Sequence, residues 1–368
     1  MRLDIDAGAR WKLVKVPADS EWIVYRNKLS RKHHCLLIFP RRDTSCFLSL
    51  VPDTVPLSSL MLPGKTTLRT DRMAFYGWPI SQCQSLSTSL ERQLHSGIRV
   101  LDIRLAIVDS HLISYHGIYP QRAPFAEILS TVHTFLTTPS TSRETIVMSI
   151  KQEDSDTQRF TKLVREEIVA SPGGLGMWYL ENRLPTLGEV RGKVVMFSRF
   201  GDNGYGWDNA AIGIHPPLWP DSDKLGFTWN CQDTLVQTQD WYAIPSFLSI
   251  PEKVALSTNI LVASRDSPSP TLSISFLSAA SIPLAFPPTI ARGLGWPQWG
   301  IGFEGVNARV GKWLLDQFGD RYEEVDEDPR IRGWALMDFF EDPVGQGIVP
   351  LFVECNFRGR MCNEEGWA

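Results

Sequence analysis

Residues 97–117 read GIRVLDIRLAIVDSHLISYHG, and residues 144–153 read ETIVMSIKQE. These two stretches decide the fold. Val100–Val108 and Ile146–Ile150 are apolar runs with little alternation. A strand written that way is covered on both faces, as in a parallel sheet. Polar residues interrupt or close each run: Arg104 and His116 in the first stretch, Lys151 in the second.

Between the two stretches, FAEILSTVHTFL (125–136) has the apolar spacing of a helix. Upstream, QSLSTSLERQLHS (84–96) places Leu86, Leu90 and Leu94 four apart, and Gly97 stands where a helix ends. LSSLMLPG (57–64) reads as a strand running into a turn. Downstream, a helix is predicted over 156–170. Strands follow at KVVMFSRF (193–200), TLVQTQ (234–239), LSISFLS (272–278) and GWALMDFF (333–340), with helices near 251–263 and 304–317. This alternation predicts an α/β fold, a (β/α)8-type TIM barrel, regular or distorted, over 56–368. Such barrels build their sites at the C-terminal strand ends. That rule selects Arg104, His116, Lys151, Arg199, Asp240, Tyr242 and Asp338.

Residues 1–55 carry short apolar runs at Trp11–Val16, Trp22–Tyr25, Leu36–Phe39 and Phe47–Val51, separated by Pro, Asp and basic pairs. They predict a small N-terminal β appendage, either a cover for the barrel or a separate binding module.

Bulk properties narrow the function. The 368 residues carry a formal charge of −4, with 43% hydrophobic and 21% charged residues. Neither a nucleic-acid footprint nor a strong electrostatic pull toward anionic membranes follows from that balance. The six cysteines (Cys35, Cys46, Cys83, Cys231, Cys355, Cys362) form no CxxC pair, so neither a zinc site nor a disulfide framework is expected. The opening MRLDIDAGARWKLVKV has no apolar core of a leader, and no apolar run approaches a membrane span. A cytoplasmic location is the expectation. Trp207 and Trp241 fall in loops at the site end, as packing residues, a pocket wall or a membrane rim.

The succession LHSGIRVLDIRL, HLISYHG and ETIVMSIKQE, then EVRGKVVMFSRF, VQTQDWY and WALMDFF, resembles the X region of phosphatidylinositol-specific phospholipase C. The similarity is greatest to bacterial and fungal single-domain members and runs from residue 57 to 356. It implies a site in which one histidine takes the proton of the inositol 2-hydroxyl, which attacks phosphorus. A second histidine protonates the departing glycerol oxygen, and an arginine stabilises the phosphoryl oxygens. Carried over, His116 matches the acid, Arg104 the phosphate arginine, and Asp338 the aspartate that holds the base. Lys151, Arg199, Asp240 and Tyr242 match positions that hold inositol hydroxyls. The eukaryotic branch's acidic calcium cluster has no counterpart, so no metal and no cofactor are expected.

The first motif departs. Where the family has Pro-Gly-Thr-His-Asp-Ser, this chain has Pro63-Gly64-Lys65-Thr66-Thr67-Leu68. Thr66 stands at the position of the base, and a hydroxyl accepts no proton near neutral pH. Losing a positioned base costs on the order of 10²–10⁴ in rate. Lys65 would face away from Thr66 along an extended segment. Among the other histidines, His215 is the nearest to a reserve. Asp338, without a histidine or other cation beside it, would titrate high. Three readings follow. The leading one is proton-transfer chemistry (elimination, isomerisation or cyclisation) on a small organic substrate by His116, Asp338 and Arg104, with Thr66 among the substrate contacts. The others are a phosphodiesterase with a non-standard base and a non-catalytic ligand-binding protein. A small-molecule substrate is the expected partner. Membrane contact and oligomeric state are left open.

Overall fold

The computed structural model describes residues 11–30, 32–65, 88–116, 119–201, 207, 211–264, 270–280, 283–296, 301–319, 330–343 and 347–367. An antiparallel sheet comes first: β1 (Trp11–Val14), β2 (Trp22–Lys28) and β3 (His34–Pro40). The chain then runs through β4 (Met61–Lys65), α1 (Leu90–His95), β5 (Val100–Val108), β6 (His111–His116), β7 (Tyr119–Pro124), α2 (Phe125–Thr137), β8 (Ile146–Gln152) and α3 (Thr157–Ala170). It continues through β9 (Trp178–Tyr179), α4 (Leu187–Val190), β10 (Val194–Arg199), β11 (Phe227–Cys231), β12 (Thr234–Gln239) and α5 (Ile250–Asn259). Last come β13 (Thr271–Phe276), α6 (Pro287–Arg292), β14 (Gly293–Trp296), β15 (Ile301–Glu304), α7 (Val306–Gly319), β16 (Gly333–Met337) and α8 (Val349–Cys355).

The main sheet has the order β11-β12-β13-β16-β4-β5-β8-β10-β9. Every pairing from β12 to β9 is parallel, and only β11 closes that path antiparallel. A one-residue parallel bridge, Ile214 to Phe197, extends the wall beside β10. Among the described residues the edges β9 and β11 do not pair with each other, so the barrel is open there. Of HLISYHG, residues 111–116 form a strand as expected, but it returns antiparallel on β5 rather than serving as a stave. Phe47–Leu50 is a 3-10 turn that buries Phe47 and Leu48, instead of a strand. Residues 84–87 of the expected first helix lie outside the described residues.

Local chemistry explains the elements. In α2, Phe125, Ile128, Leu129, Val132, Phe135 and Leu136 are buried at the spacing of one helix face. Asp156 caps α3 by accepting from the Arg159 amide at 3.2 Å. Gly64 is dictated by close approach: a Cβ there would lie 2.9 Å from both Leu336 and Val100 on the flanking strands. The barrel interior is aromatic, with Phe197 edge-on to Trp219, Trp229 and Trp334.

The N-terminal strand ends are tied down by buried arginines. Arg99, just before β5, pairs with Glu144 at 2.8 Å and donates to the carbonyls of Leu94, Ile98 and Ser45. Arg332, just before β16, donates to Ile331, Cys355 and Arg358 carbonyls. Arg191, before β10, binds Asp53 and the carbonyls of Leu48 and Val51. These links clamp residues 44–55 and the C-terminal segment onto the end opposite the site. That leaves the other end open for chemistry.

Candidate functional site

The parallel register builds the site in layers. β5, β8 and β10 pair so that Arg104 is level with Lys151, and Lys151 with Arg199. One step down, with side chains on the same face, Asp102 is level with Ser149, and Ser149 with Phe197. A row of three cations therefore lies above a carboxylate and an aromatic floor.

Asp102 is fully buried and organises the row. Its Oδ1 accepts from Ser149 Oγ at 2.7 Å and from Arg199 Nη1 at 3.1 Å. Arg104 Nε lies 3.7 Å from Asp102 Oδ2, and Glu153 lies 3.5 Å from Arg104 Nη1 and 3.4 Å from Lys151 Nζ. These last separations exceed those of charge-assisted hydrogen bonds, so an incoming anion would make the shorter contact.

Above the row opens a cavity of about 500 Å³. Arg104, Lys151 and Arg199 line one wall, and Asp240 and Tyr242, just past β12, line another. The loop His215–Asp221 closes the side. Trp219 is its anchor: Nε1 donates to Asp240 Oδ2 at 2.9 Å, and the ring lies 4.0 Å from the Arg199 guanidinium. Tyr242 donates its hydroxyl to Asp221, which pushes the phenol up to about 12. Burial pushes the Asp240 carboxyl up, against the pull of Arg199 and the Trp219 hydrogen bond.

Lys253 of α5 lies wholly buried behind this wall. It donates to the Trp241 carbonyl at 2.9 Å, on the segment that carries Asp240 and Tyr242. Burial pushes its amine down to about 7, opposed by the charges of Asp240 and Asp338. Asp338 thus has an amine within the reach of its charge. It follows Met337 at the end of β16, is buried, and Asn307 donates to its backbone carbonyl at 2.9 Å.

The structure thus gathers five expected residues, Arg104, Lys151, Arg199, Asp240 and Tyr242, around one cavity. His116 ends β6, which runs back along β5 from Val108 to Leu105, and its side chain lies outside the described residues. Thr66 and Thr67 also lie outside them. Lys65 is fully buried, with Nζ 5.8 Å from the Phe340 ring centroid, and it is not part of the cavity lining. His215 does line the cavity, on the β10 side, with Nδ1 3.0 Å from both the hydroxyl and the carbonyl of Ser198. Trp207 and Trp241 are buried packing residues, and Trp207 donates to Thr161 O at 3.1 Å. The aromatic wall is Trp219 instead.

Comparison with known proteins agrees with this geometry. Residues 80–200 match the family model "Phosphatidylinositol-specific phospholipase C, X domain". The chain is 31% identical over 217 residues to a 1-phosphatidylinositol phosphodiesterase of Listeria monocytogenes, covering 55% of this chain and 59% of that protein. It is 32% identical over 205 residues to one of Staphylococcus aureus, covering 53% and 62%. The match thus spans about three fifths of each of these curated relatives. Among solved structures, a phosphatidylinositol-specific phospholipase C from S. aureus superposes with a TM-score of 0.64 at 24% identity, covering 85% of this chain and 98% of that one. The L. monocytogenes enzyme gives 0.60 at 22%, covering 85% and 99%. The fold is that of these TIM-type barrels, and residues 80–200 are similar to the X domain of phosphatidylinositol-specific phospholipases C.

Proposed function

We propose that this chain is a phosphodiesterase that cleaves a phosphodiester borne on a polyol headgroup of the phosphatidylinositol type. The observation that carries the reading is the level row Arg104, Lys151 and Arg199 facing Asp240 and Tyr242 across one cavity. Cations beside carboxylates and a phenol suit a ligand that is anionic at one point and rich in hydroxyls elsewhere. Arg104 would stabilise charge building on the phosphoryl oxygens. Arg199 and Asp240, joined through Trp219, would hold ring hydroxyls, the arginine as donor and the aspartate as acceptor. His116 would protonate the departing alkoxide.

The relatives' phosphodiesterase activity favours this reading over proton transfer on an unrelated small molecule. That alternative rested on Thr66, and the row of cations gives it no separate support. Leu218 adds a lipid-compatible feature, since it projects 70% exposed from the loop that walls the cavity. The test is release of water-soluble inositol phosphate from phosphatidylinositol vesicles. Release well above background that is abolished by Arg104→Ala supports the proposal. No release, with intact fold and no diester of this class cleaved, rejects it.

A further inference from the structure

The N-terminal sheet has two faces of opposite character. Its inner face is taken up by the barrel. Trp11 Nε1 donates to Ala308 O at 2.8 Å, Asn27 donates to Asp316 at 2.9 Å, and Phe39 packs edge-on to Phe318 with centroids 5.4 Å apart. Arg42 pairs with Glu354 at 2.9 Å.

The outer face follows from the register. Lys12 pairs with Arg26 and Arg26 with Leu36, while Val14 pairs with Val24 and Val24 with Ile38. Lys28 pairs with His34, and Trp22 with Pro40. One end of the face is thus basic and the other apolar. Trp22, Leu36 and Ile38 are 51%, 60% and 57% exposed, too much apolar surface in one place for scattered surface residues.

Two features point outward to a partner. Lys12 directly opposite Arg26 weakens a sheet, since like charges across a pair repel. Every charged side chain on this face is basic, and none of Lys12, Arg26 and Lys28 forms an ion pair among the described residues, in a chain whose net charge is −4. An anionic occupant resolves that repulsion. A tryptophan and aliphatic side chains beside lysines and an arginine suit a bilayer interface, where the ring sits at headgroup level and the cations meet phosphates.

We propose that the outer face of this sheet docks the protein on an anionic lipid surface. Overall charge gives no strong pull toward such membranes, and the proposal rests instead on the local segregation of charge on this face. The attachment is rigid, and it reaches the site end of the barrel. Trp11 rests on the first turn of α7, where Asn307 holds the Asp338 backbone.

The experiment is cosedimentation of the full chain with phosphatidylcholine vesicles, with and without phosphatidylglycerol and free of phosphoinositide, so that its outcome is separate from the diester reading. Wild type is expected to bind the phosphatidylglycerol vesicles at least about tenfold more tightly, with the preference fading in high salt. The triple variant Lys12→Gln, Arg26→Gln, Lys28→Gln loses that preference, and Trp22→Ser with Ile38→Ser weakens binding to both vesicles. Both variants keep the wild-type melting transition and the hydrolysis of a soluble short-chain diester. A triple variant that binds like wild type overturns the proposal. Wild type indifferent to phosphatidylglycerol also overturns it, and leaves the face to a protein partner.

Discussion

Arg199 and Asp102 meet at 3.1 Å beneath the cavity, with the arginine 6% and the aspartate 0% exposed. The same guanidinium lies over Trp219, so one side chain joins the buried carboxylate to the aromatic wall. A lysine keeps the charge but loses the planar surface and the fork of donors. Arg199→Lys is therefore expected to raise KM for an inositol-bearing substrate roughly five- to thirtyfold, the scale of a desolvated cation–π contact plus a charged hydrogen bond. The change in kcat should be smaller, because Arg104 is left in place. Steady-state kinetics separates the two; a fall in kcat alone would place Arg199 at the reacting phosphorus instead.

Arg99 and Glu144 form a wholly buried pair at the closed end, far from the cavity. Arg99→Met strands Glu144 and removes the hold on residues 44–45, so a loss of roughly 3–5 kcal/mol is expected. Removing both charges, with Arg99→Met and Glu144→Leu, should recover a large part of that loss. Urea denaturation of the two variants measures it. Equal losses in both would mean that the carbonyl contacts of Arg99, rather than its charge, hold this end.

Lys253 makes stability depend on pH with a definite sign. Its amine titrates near 10.5 when unfolded and is pushed down to about 7 when folded. Between those values the unfolded chain holds a proton that the folded chain lacks, so stability rises with pH across the interval. Below about 7 the penalty is complete and constant. Asp240, whose carboxyl is pushed up, acts oppositely: above 3.8 its contribution falls as pH rises through its folded value. Lys253→Met should flatten the alkaline rise, read as the urea midpoint against pH. A variant that keeps the wild-type slope from neutral to alkaline pH would assign that slope to another group.

How much of this was legible in the sequence depends on how each residue is positioned. Lys151 and Arg199 sit at the ends of long apolar runs and Arg104 interrupts one, and a charge in such a run is a local signal. Asp102 carried one too, since it stands two residues before Arg104 and must share its face. Trp219, Asp221 and His215 lie in a loop with no periodicity. They are placed by the Ile214–Phe197 bridge, a long-range contact that no window of sequence displays. Lys253, inside a helix, reads as a solvent-facing residue, and only the packing of the β12 segment over it makes it buried. Phe47–Leu50 looks like a strand because a four-residue apolar run has no period to tell strand from turn.

The last prediction concerns the altered motif. β4 ends at Lys65, which is level with Met337, the residue before Asp338. Asp338 is buried and held by Asn307 at its carbonyl, and its charge reaches the buried Lys253 amine. The residue matched to the base's partner is thus buried at the end of β16, though it does not line the cavity, while the sequence after Lys65 supplies Thr66 and Thr67 in place of histidine and aspartate. If the phosphodiesterase reading holds, Thr66→His with Thr67→Asp should increase inositol phosphate release on the order of 10²-fold or more, the scale of a positioned general base. Adding Asp338→Asn to that variant should remove most of the gain, because the new imidazole loses the group that fixes its tautomer and stabilises its charge. His215→Ala in the otherwise unaltered chain is the companion measurement. A collapse of kcat there would make His215 the working proton acceptor, and the restored histidine would then add little.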